Sequence, residues 1–295
     1  MTTQIKQEGL LLQSLGGFYY VEVEHTVHEC KARGVLRKDG ISPVAGDHVL
    51  VTLQGNGTGT VDEILPRRNC LVRPPLANLD CLAVVVSVAE PRPNLQLLDT
   101  LIAIAENNAI EPVLVITKAD LQSTRDIEDI YTRAGFSVFV VTNTDFQTAA
   151  PLKQFLQGKV TAVTGNSGVG KSSLLNLIEP DLHRETGEIS KKLGRGRHTT
   201  RSSELFALSS GGYLADTAGF SALDLEKTQS IPLENIFHCF REFEPFFGSC
   251  RFAGCSHIHE PDCGLRKAVE DGEISSSRYE SYVALYEGAK RQKKW

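Results

Sequence analysis

The chain has no apolar stretch long enough to cross a membrane, and Met1-Thr2-Thr3-Gln4-Ile5-Lys6 does not resemble the start of a secretory signal. A cytoplasmic location is expected on that basis. There is no disulfide framework: Cys30, Cys70, Cys81 and Cys239 are scattered, as suits small apolar core residues in a reducing compartment. There is no internal repeat. The positive balance of a dedicated nucleic-acid binder is also missing, since the formal net charge is −5. Residues 1–75 carry eight positive and eight negative side chains and residues 76–180 carry seven and eleven, so much of the acidity lies mid-chain. Any RNA contact would have to use local patches: Arg33, Arg37 and Lys38; Arg67, Arg68 and Arg73; a basic loop at 190–201; and Lys290, Arg291, Lys293 and Lys294. Each such patch is more often a solvated face than a binding site.

The strongest feature present is Gly165-Asn166-Ser167-Gly168-Val169-Gly170-Lys171-Ser172, followed by Ser173, which fits G-x-x-x-x-G-K-[ST] at every fixed position. Lys159–Thr164 reads as a strand before it and Ser172–Ile178 as a helix after it. Glycines let successive backbone N–H groups turn inward around phosphates, and the helix dipole adds to them. Lys171 is placed to reach the outer phosphates and the Ser172 hydroxyl to hold Mg²⁺.

The apolar run Pro112–Ile116 reads as a buried parallel strand. It delivers Thr117-Lys118-Ala119-Asp120 to the carboxyl end of the strand, where ligands bind in open α/β sheets. Asp120 can accept two hydrogen bonds from the guanine edge, and adenine lacks that donor pair; the Lys118 stem can lie along the base. Thr117 stands where the usual motif has Asn, and its hydroxyl is not expected to reproduce the amide's bridge to the phosphate loop, so reduced base affinity is expected.

A hairpin of Leu205–Leu208 and Tyr213–Ala215 around Ser209-Ser210-Gly211-Gly212 leads to Asp216-Thr217-Ala218-Gly219. Asp216 would hold Mg²⁺ through water and the Gly219 N–H would sense the γ-phosphate. Phe220 stands where Ras-like enzymes carry the water-orienting Gln, so hydrolysis must use another group or a partner. Between the loop and Asp216 lies the Gly-rich basic stretch 190–201, read as a mobile switch loop in which Thr200, with Thr199 close behind, is the hydroxyl that binds Mg²⁺. The base-reading motif precedes the phosphate loop by roughly 45 residues, the reverse of an ordinary GTPase. That is the order of a circularly permuted one.

Cys250-x4-Cys255-x-His257-x5-Cys263 supplies three thiolates and an imidazole within fourteen residues, a donor set that matches a closed, structural zinc site. His259 is an alternative to His257. The common C-x-x-C knuckle is absent, so the pattern is moderately specific. Residues 1 to about 72 alternate short apolar runs with turns, as in Phe18–Glu24 and Asp47–Leu53, which suits a small β-barrel. Arg73-Pro74-Pro75 marks the exit from it, a second break falls near 225–230, and Ser276 to about Lys290 reads as a terminal helix.

Together with Val44–Val49, Pro66–Pro74, Leu193–Thr200 and the motifs above, nearly the whole chain resembles the RsgA family of ribosome small subunit-dependent GTPases. These are circularly permuted bacterial enzymes of late small-subunit maturation. The resemblance implies a multidomain α/β protein: an N-terminal OB-fold at 1–72, a central circularly permuted P-loop GTPase domain at 73–227 and a C-terminal, mainly helical zinc domain at 228–295. It implies hydrolysis of GTP to GDP and phosphate, stimulated by the small (30S) ribosomal subunit, with rRNA as a partner, one structural Zn²⁺ per chain and Mg²⁺ with GTP. A monomer is expected. The family's switch-region histidine, thought to help hydrolysis in place of the glutamine, falls on His198. Ala218 stands where the family often has Pro. Two rivals stay open: a small-molecule P-loop kinase and a non-catalytic RNA-binding scaffold. The permuted order also implies that the γ-phosphate switch runs covalently straight into the zinc domain, while the barrel enters beside the base-reading half.

Overall fold

The computed structural model describes residues 6–34, 42–54, 57–142, 145–180, 203–216, 226 and 229–292. Strands β1 (Lys6–Leu15), β2 (Phe18–Val23), β3 (Thr26–Ala32), β4 (His48–Gln54) and β5 (Thr58–Ile64) pair in the order β1-β2-β3-β5-β4. A further β4–β1 pairing over Lys6–Leu10 closes them into a barrel. β3 and β5 run parallel and the other pairs antiparallel. Inward alternation puts Leu11, Val21, Val23, Cys30, Val49, Val51 and Val61 in one core. Closure is tight: a Cβ on Gly9 would lie 2.5 Å from Val21 Cγ1.

A short hairpin, β6 (Cys70–Leu71) and β7 (Leu76–Ala77), leads to β8 (Cys81–Ser87), β9 (Glu111–Thr117), β10 (Ser137–Val141), β11 (Val160–Thr164), β12 (Glu204–Ala207) and β13 (Tyr213–Asp216). Their order is β10-β9-β8-β11-β13-β12. All pairs are parallel except the β12–β13 hairpin. β8 is buried at all seven positions because helices cover both faces. Leu82, Val84 and Val86 face α1 (Leu95–Asn107) and α2 (Arg125–Arg133). Cys81, Ala83 and Val85 face α3 (Phe146–Leu156) and α4 (Lys171–Ile178). Burial pushes the Cys81 and Cys239 thiols up to about 12 and Cys30 up to about 11, so these scattered cysteines are core residues rather than reactive ones.

The barrel is joined to this sheet in two ways. Gln13 of β1 pairs with Glu204 of β12, and its Nε2 donates to the Glu204 carboxylate at 2.7 Å, so barrel and sheet are continuous. The second joint is polar and buried. Asp47, with no exposed surface, accepts from Arg67 Nε and Nη2 at 2.7 and 2.8 Å and from the Val44 N–H. Gly46 has φ +92° and a Cβ there would lie 2.0 Å from the Ala77 carbonyl oxygen. Arg68 Nη2 donates to the Asn78 carbonyl and to Asp80, which accepts from the Val160 N–H. Arg67 and Arg68 therefore hold the barrel to the sheet. Of the Arg67, Arg68 and Arg73 patch, Arg67 is committed to buried Asp47, while Arg68 pairs with Asp80 and stays largely exposed. Arg33 is likewise paired, to Asp62 at 3.0 Å, whereas Arg73 is exposed.

The C-terminal part has three short 3₁₀ helices (Leu233–Asn235, Phe237–Cys239, Arg241–Phe246), α5 (Gly264–Glu270) and α6 (Ser276–Gln292) around its own aromatic core. It docks on α1 and α2 through two arginines. Arg278 is 1 % exposed and pairs with Asp99 of α1 and with Glu242, both at 2.7 Å. Its guanidinium also lies over the rings of Tyr131, Phe136 and Phe240. Arg241 reaches Glu106, Glu111 and the Gly135 carbonyl. Removing Arg278 strands two buried carboxylates, which costs about 3–5 kcal/mol. Arg278→Met is thus expected to lower the unfolding free energy, obtained from urea titration read by circular dichroism, by that amount relative to the parent chain.

Candidate nucleotide site and metal centre

β8 lies between β9 and β11, so the loops that follow β9 and β11 emerge at the same edge of the sheet. Gly165, Gly168 and Gly170 have φ of 150°, 81° and 98°. A Cβ on Gly165 would lie 2.4 Å from the Val85 carbonyl oxygen, so the turn packs on β8 as closely as glycine allows. α4 starts at Lys171, which puts Ser172 and Ser173 in its first turn. Burial lowers the Lys171 pKa. Its Nζ donates to the Gly165 and Asn166 carbonyls, both at 2.7 Å, so the amine lies within the turn.

The base-reading motif is tied directly to this loop. Thr117 is fully buried, and its Oγ1 lies 2.5 Å from the Val169 carbonyl oxygen and 3.2 Å from that of Val86. The expectation that threonine loses the bridge is corrected: the loop approaches β9 closely enough for a hydroxyl to span the gap. Lys118, at φ +58°, donates from Nζ to the Gly168 carbonyl at 2.9 Å and to the Glu90 carbonyl. Its stem is thereby stretched beside the loop. Ala119 is half-buried and Asp120 exposed, so the carboxylate stands open beside that edge.

Asp216 ends β13, whose register on β11 places it next to the strand that feeds the phosphate loop. His198, Thr199, Thr200, Gly219 and Phe220 lie outside the described residues. The Glu90 and Gly168 clamps on Lys118 were missed from sequence. A lysine followed by Ala-Asp signals a base, but nothing local names the carbonyls that hold it.

The Cys/His cluster forms as expected from its spacing. Ligand atoms of Cys250, Cys255, His257 and Cys263 all lie within 4.8 Å of one another, a group that could hold one metal ion. Cys250 and Cys263 sulfurs are 3.7 Å apart, and His257 Nδ1 lies 3.3 and 3.4 Å from them. A tetrahedral ion with metal–sulfur bonds of about 2.3 Å would place its sulfurs about 3.8 Å apart, so the donors fit. Burial lowers the His257 pKa, keeping the imidazole neutral as a ligand must be. His259 is not in the cluster: it is exposed, and its backbone N–H goes to Glu260. Glu260 also accepts from the Ser256 and Ile258 N–H groups, which shapes the loop that carries His257.

A phosphate loop after β11, stitched to a base-reading loop that precedes it in the chain, defines a circularly permuted P-loop GTPase. Family comparison makes the assignment more particular. The RsgA GTPase family matches residues 64–226 and the RsgA N-terminal domain residues 8–61. The small ribosomal subunit biogenesis GTPase RsgA of Caldanaerobacter subterraneus subsp. tengcongensis is 43 % identical over 290 residues, covering 97 % of each chain. The crystal structure of YjeQ from Thermotoga maritima superposes with a TM-score of 0.82 at 34 % identity, covering 97 % of this chain and 99 % of that one. That of YloQ, titled a circularly permuted GTPase, gives 0.81 at 34 %, covering 99 % and 98 %. The chain belongs to the RsgA GTPase family.

Two outcomes test the site. Thr117→Val keeps the shape but leaves the Val169 carbonyl unpaired, a loss of about 1–3 kcal/mol; the GDP dissociation constant, measured by titration calorimetry, is expected to rise roughly tenfold. His257→Ala is expected to abolish stoichiometric metal in elemental analysis of purified protein, and His259→Ala to retain it.

Proposed function

We propose that this protein hydrolyses GTP and that its nucleotide state controls binding to, and release from, the small ribosomal subunit during late maturation. The observation that carries the reading is the stitch from Thr117 and Lys118 to Val169 and Gly168, which sets a guanine-reading loop against a phosphate loop in permuted order. Among its relatives, the Caldanaerobacter protein is named for small ribosomal subunit biogenesis. An ATP-using small-molecule kinase would have no use for a base-reading carboxylate, so Asp120 favours the GTPase.

In this reading the backbone N–H groups of Gly165 to Ser173 surround the phosphates, with Lys171 on the outer ones and Ser172 toward Mg²⁺. Asp120 and Lys118, with Thr117 and Ala119 holding their loop, select guanine. Asp216, Gly219 and Thr200 sense the γ-phosphate, and His198 positions the attacking water in place of the glutamine that Phe220 replaces. Cys250, Cys255, His257 and Cys263 hold one structural zinc, which contributes folding energy to a domain otherwise built from short helices. We divide the chain as an OB-fold at 1–72, the GTPase domain at 73–227 and the zinc domain at 228–295, acting as a cytoplasmic monomer whose rRNA contacts are made by local basic groups.

Intrinsic turnover is expected to be slow, because completion of such a site by a partner is worth about 10³–10⁵ in rate. Phosphate release is to be measured with and without purified small subunits; equal rates would refute ribosome activation. His198→Ala is expected to lose most of the stimulated rate while retaining GTP binding, and full stimulated turnover would remove the histidine from the mechanism.

A further inference from the structure

A second, smaller site lies on the C-terminal domain, away from the nucleotide loops. The loop that carries His257 meets the last turns of α6 around a cavity of about 220 Å³, lined by Ser256, Ile258, His259, Tyr286, Lys290 and Arg291, with Glu287 on α6 beside them. Tyr286 and Lys290 share one face of α6 through their i, i+4 spacing, and Arg291 lines the cavity from the next position. Among the described residues no hydrogen bond or ion pair engages Lys290, Arg291 or the His259 ring. The other arginines of this domain named above are by contrast committed: Arg278 and Arg241 are held by carboxylates, and Arg251 pairs with Asp262. Two exposed cations and a histidine here line one cavity with a half-buried aromatic ring.

The chemistry of the lining narrows the occupant. The cavity is smaller than the roughly 300–1,000 Å³ of drug-sized sites, enough for one planar group. Ile258 and Tyr286 give it an apolar wall, Lys290, Arg291 and His259 supply donors for an anion, and the Glu287 carboxylate can accept from an exocyclic amine. A flat base with an attached phosphate satisfies all three, and a stacked base with a neighbouring cation is how single strands are held. A duplex cannot offer an unstacked base.

We propose that this pocket takes one unpaired nucleotide of single-stranded RNA, its base against Tyr286 and its phosphate on Lys290, Arg291 and His259. The proposal deepens the ribosomal reading above by naming a contact on the zinc domain, and it is decided by a measurement separate from subunit-stimulated hydrolysis.

The test uses the full chain with GDP and fluorescence anisotropy of labelled ten-nucleotide single-stranded RNAs and a duplex of the same sequence, across a salt series. Lys290→Ala/Arg291→Ala is expected to weaken single-strand binding at least tenfold and to flatten the salt slope by about 0.7, the value for the one phosphate contacted. Tyr286→Ala is expected to weaken it about tenfold with the salt slope unchanged, and Tyr286→Phe to restore it. Unaltered metal content and basal GTP turnover confirm the fold of each variant. Should Tyr286→Ala unfold, ultraviolet crosslinking of 4-thiouridine RNA to the parent chain replaces it, with the crosslink expected on the peptide spanning 286–291. Unchanged affinity in the double variant, equal loss for single strand and duplex, or a crosslink elsewhere overturns the proposal. If small subunits fail to stimulate the parent chain, the ribosomal reading falls, and the oligonucleotide result still decides the pocket.

Discussion

Two side chains of the base-reading motif, on the carbonyls of Val169 and Gly168, hold the two halves of the nucleotide site together. The Thr117 hydroxyl is buried and has no water to fall back on, so breaking its bond leaves an unpaired carbonyl in the interior. Lys118 spans from the phosphate loop to the Glu90 carbonyl in the loop that follows β8. These contacts cross three neighbouring strands, β9, β8 and β11, whose adjacency does not depend on the order in which the chain visits them. That is why the permutation is tolerated: it changes the connections and leaves the contacts that bind a nucleotide in place.

Buried, paired charge likewise builds the joints of the sheet with the barrel and with the C-terminal part. Asp47 and Arg67 meet as a bidentate pair where the barrel turns into the sheet, and Arg278 sits between Asp99 and Glu242 under three aromatic rings. Burial pushes the Asp99 carboxyl up, and the Arg278 guanidinium, Ser281 and the Tyr131 hydroxyl offset this only in part. Such a pair is weak evidence for net stability against a hydrophobic alternative, but it is strict about geometry: the fork accepts one orientation of its partner. The joints therefore fix how the domains meet more than how strongly they cohere.

Much of this was legible in the sequence because it is local. The strand before the phosphate loop, the helix after it, the β12–β13 hairpin and α6 all follow from apolar period and turn residues. So does the ligand set of the metal centre, whose spacing keeps four donors within one loop and a helix start. What was not legible depends on neighbours remote in the chain. Thr117 looked like a lost bridge because the distance to Val169, 52 residues away, is a property of sheet packing. That Arg67 and Arg68 have carboxylate partners was not legible either, because Asp47 and Asp80 are assigned to them only by the fold. The loop shape that Glu260 imposes with its backbone bonds brings His257, the sequence's first choice, into the cluster and leaves His259 outside it. His198, Thr200 and Gly219 lie outside the described residues, so their reading rests on sequence and family alone.

Covalent order and spatial contact point in opposite directions here, and contact is the better guide to mechanics. By chain order the part with the Cys/His cluster follows Asp216 and the barrel precedes β9. In space, the barrel strand β1 pairs with β12, and Gln13 bonds to Glu204, the residue in register with Asp216. The C-terminal part with the Cys/His cluster instead grips α1, the start of β9 and the end of α2 through Arg278 and Arg241. Each end of the chain thus takes hold of the half of the nucleotide site that sequence order would have assigned to the other. A displacement of the β12–β13 hairpin meets the barrel first, at the Gln13–Glu204 pairing, whereas the C-terminal part with the Cys/His cluster is seated on the half that carries the Thr117–Asp120 loop.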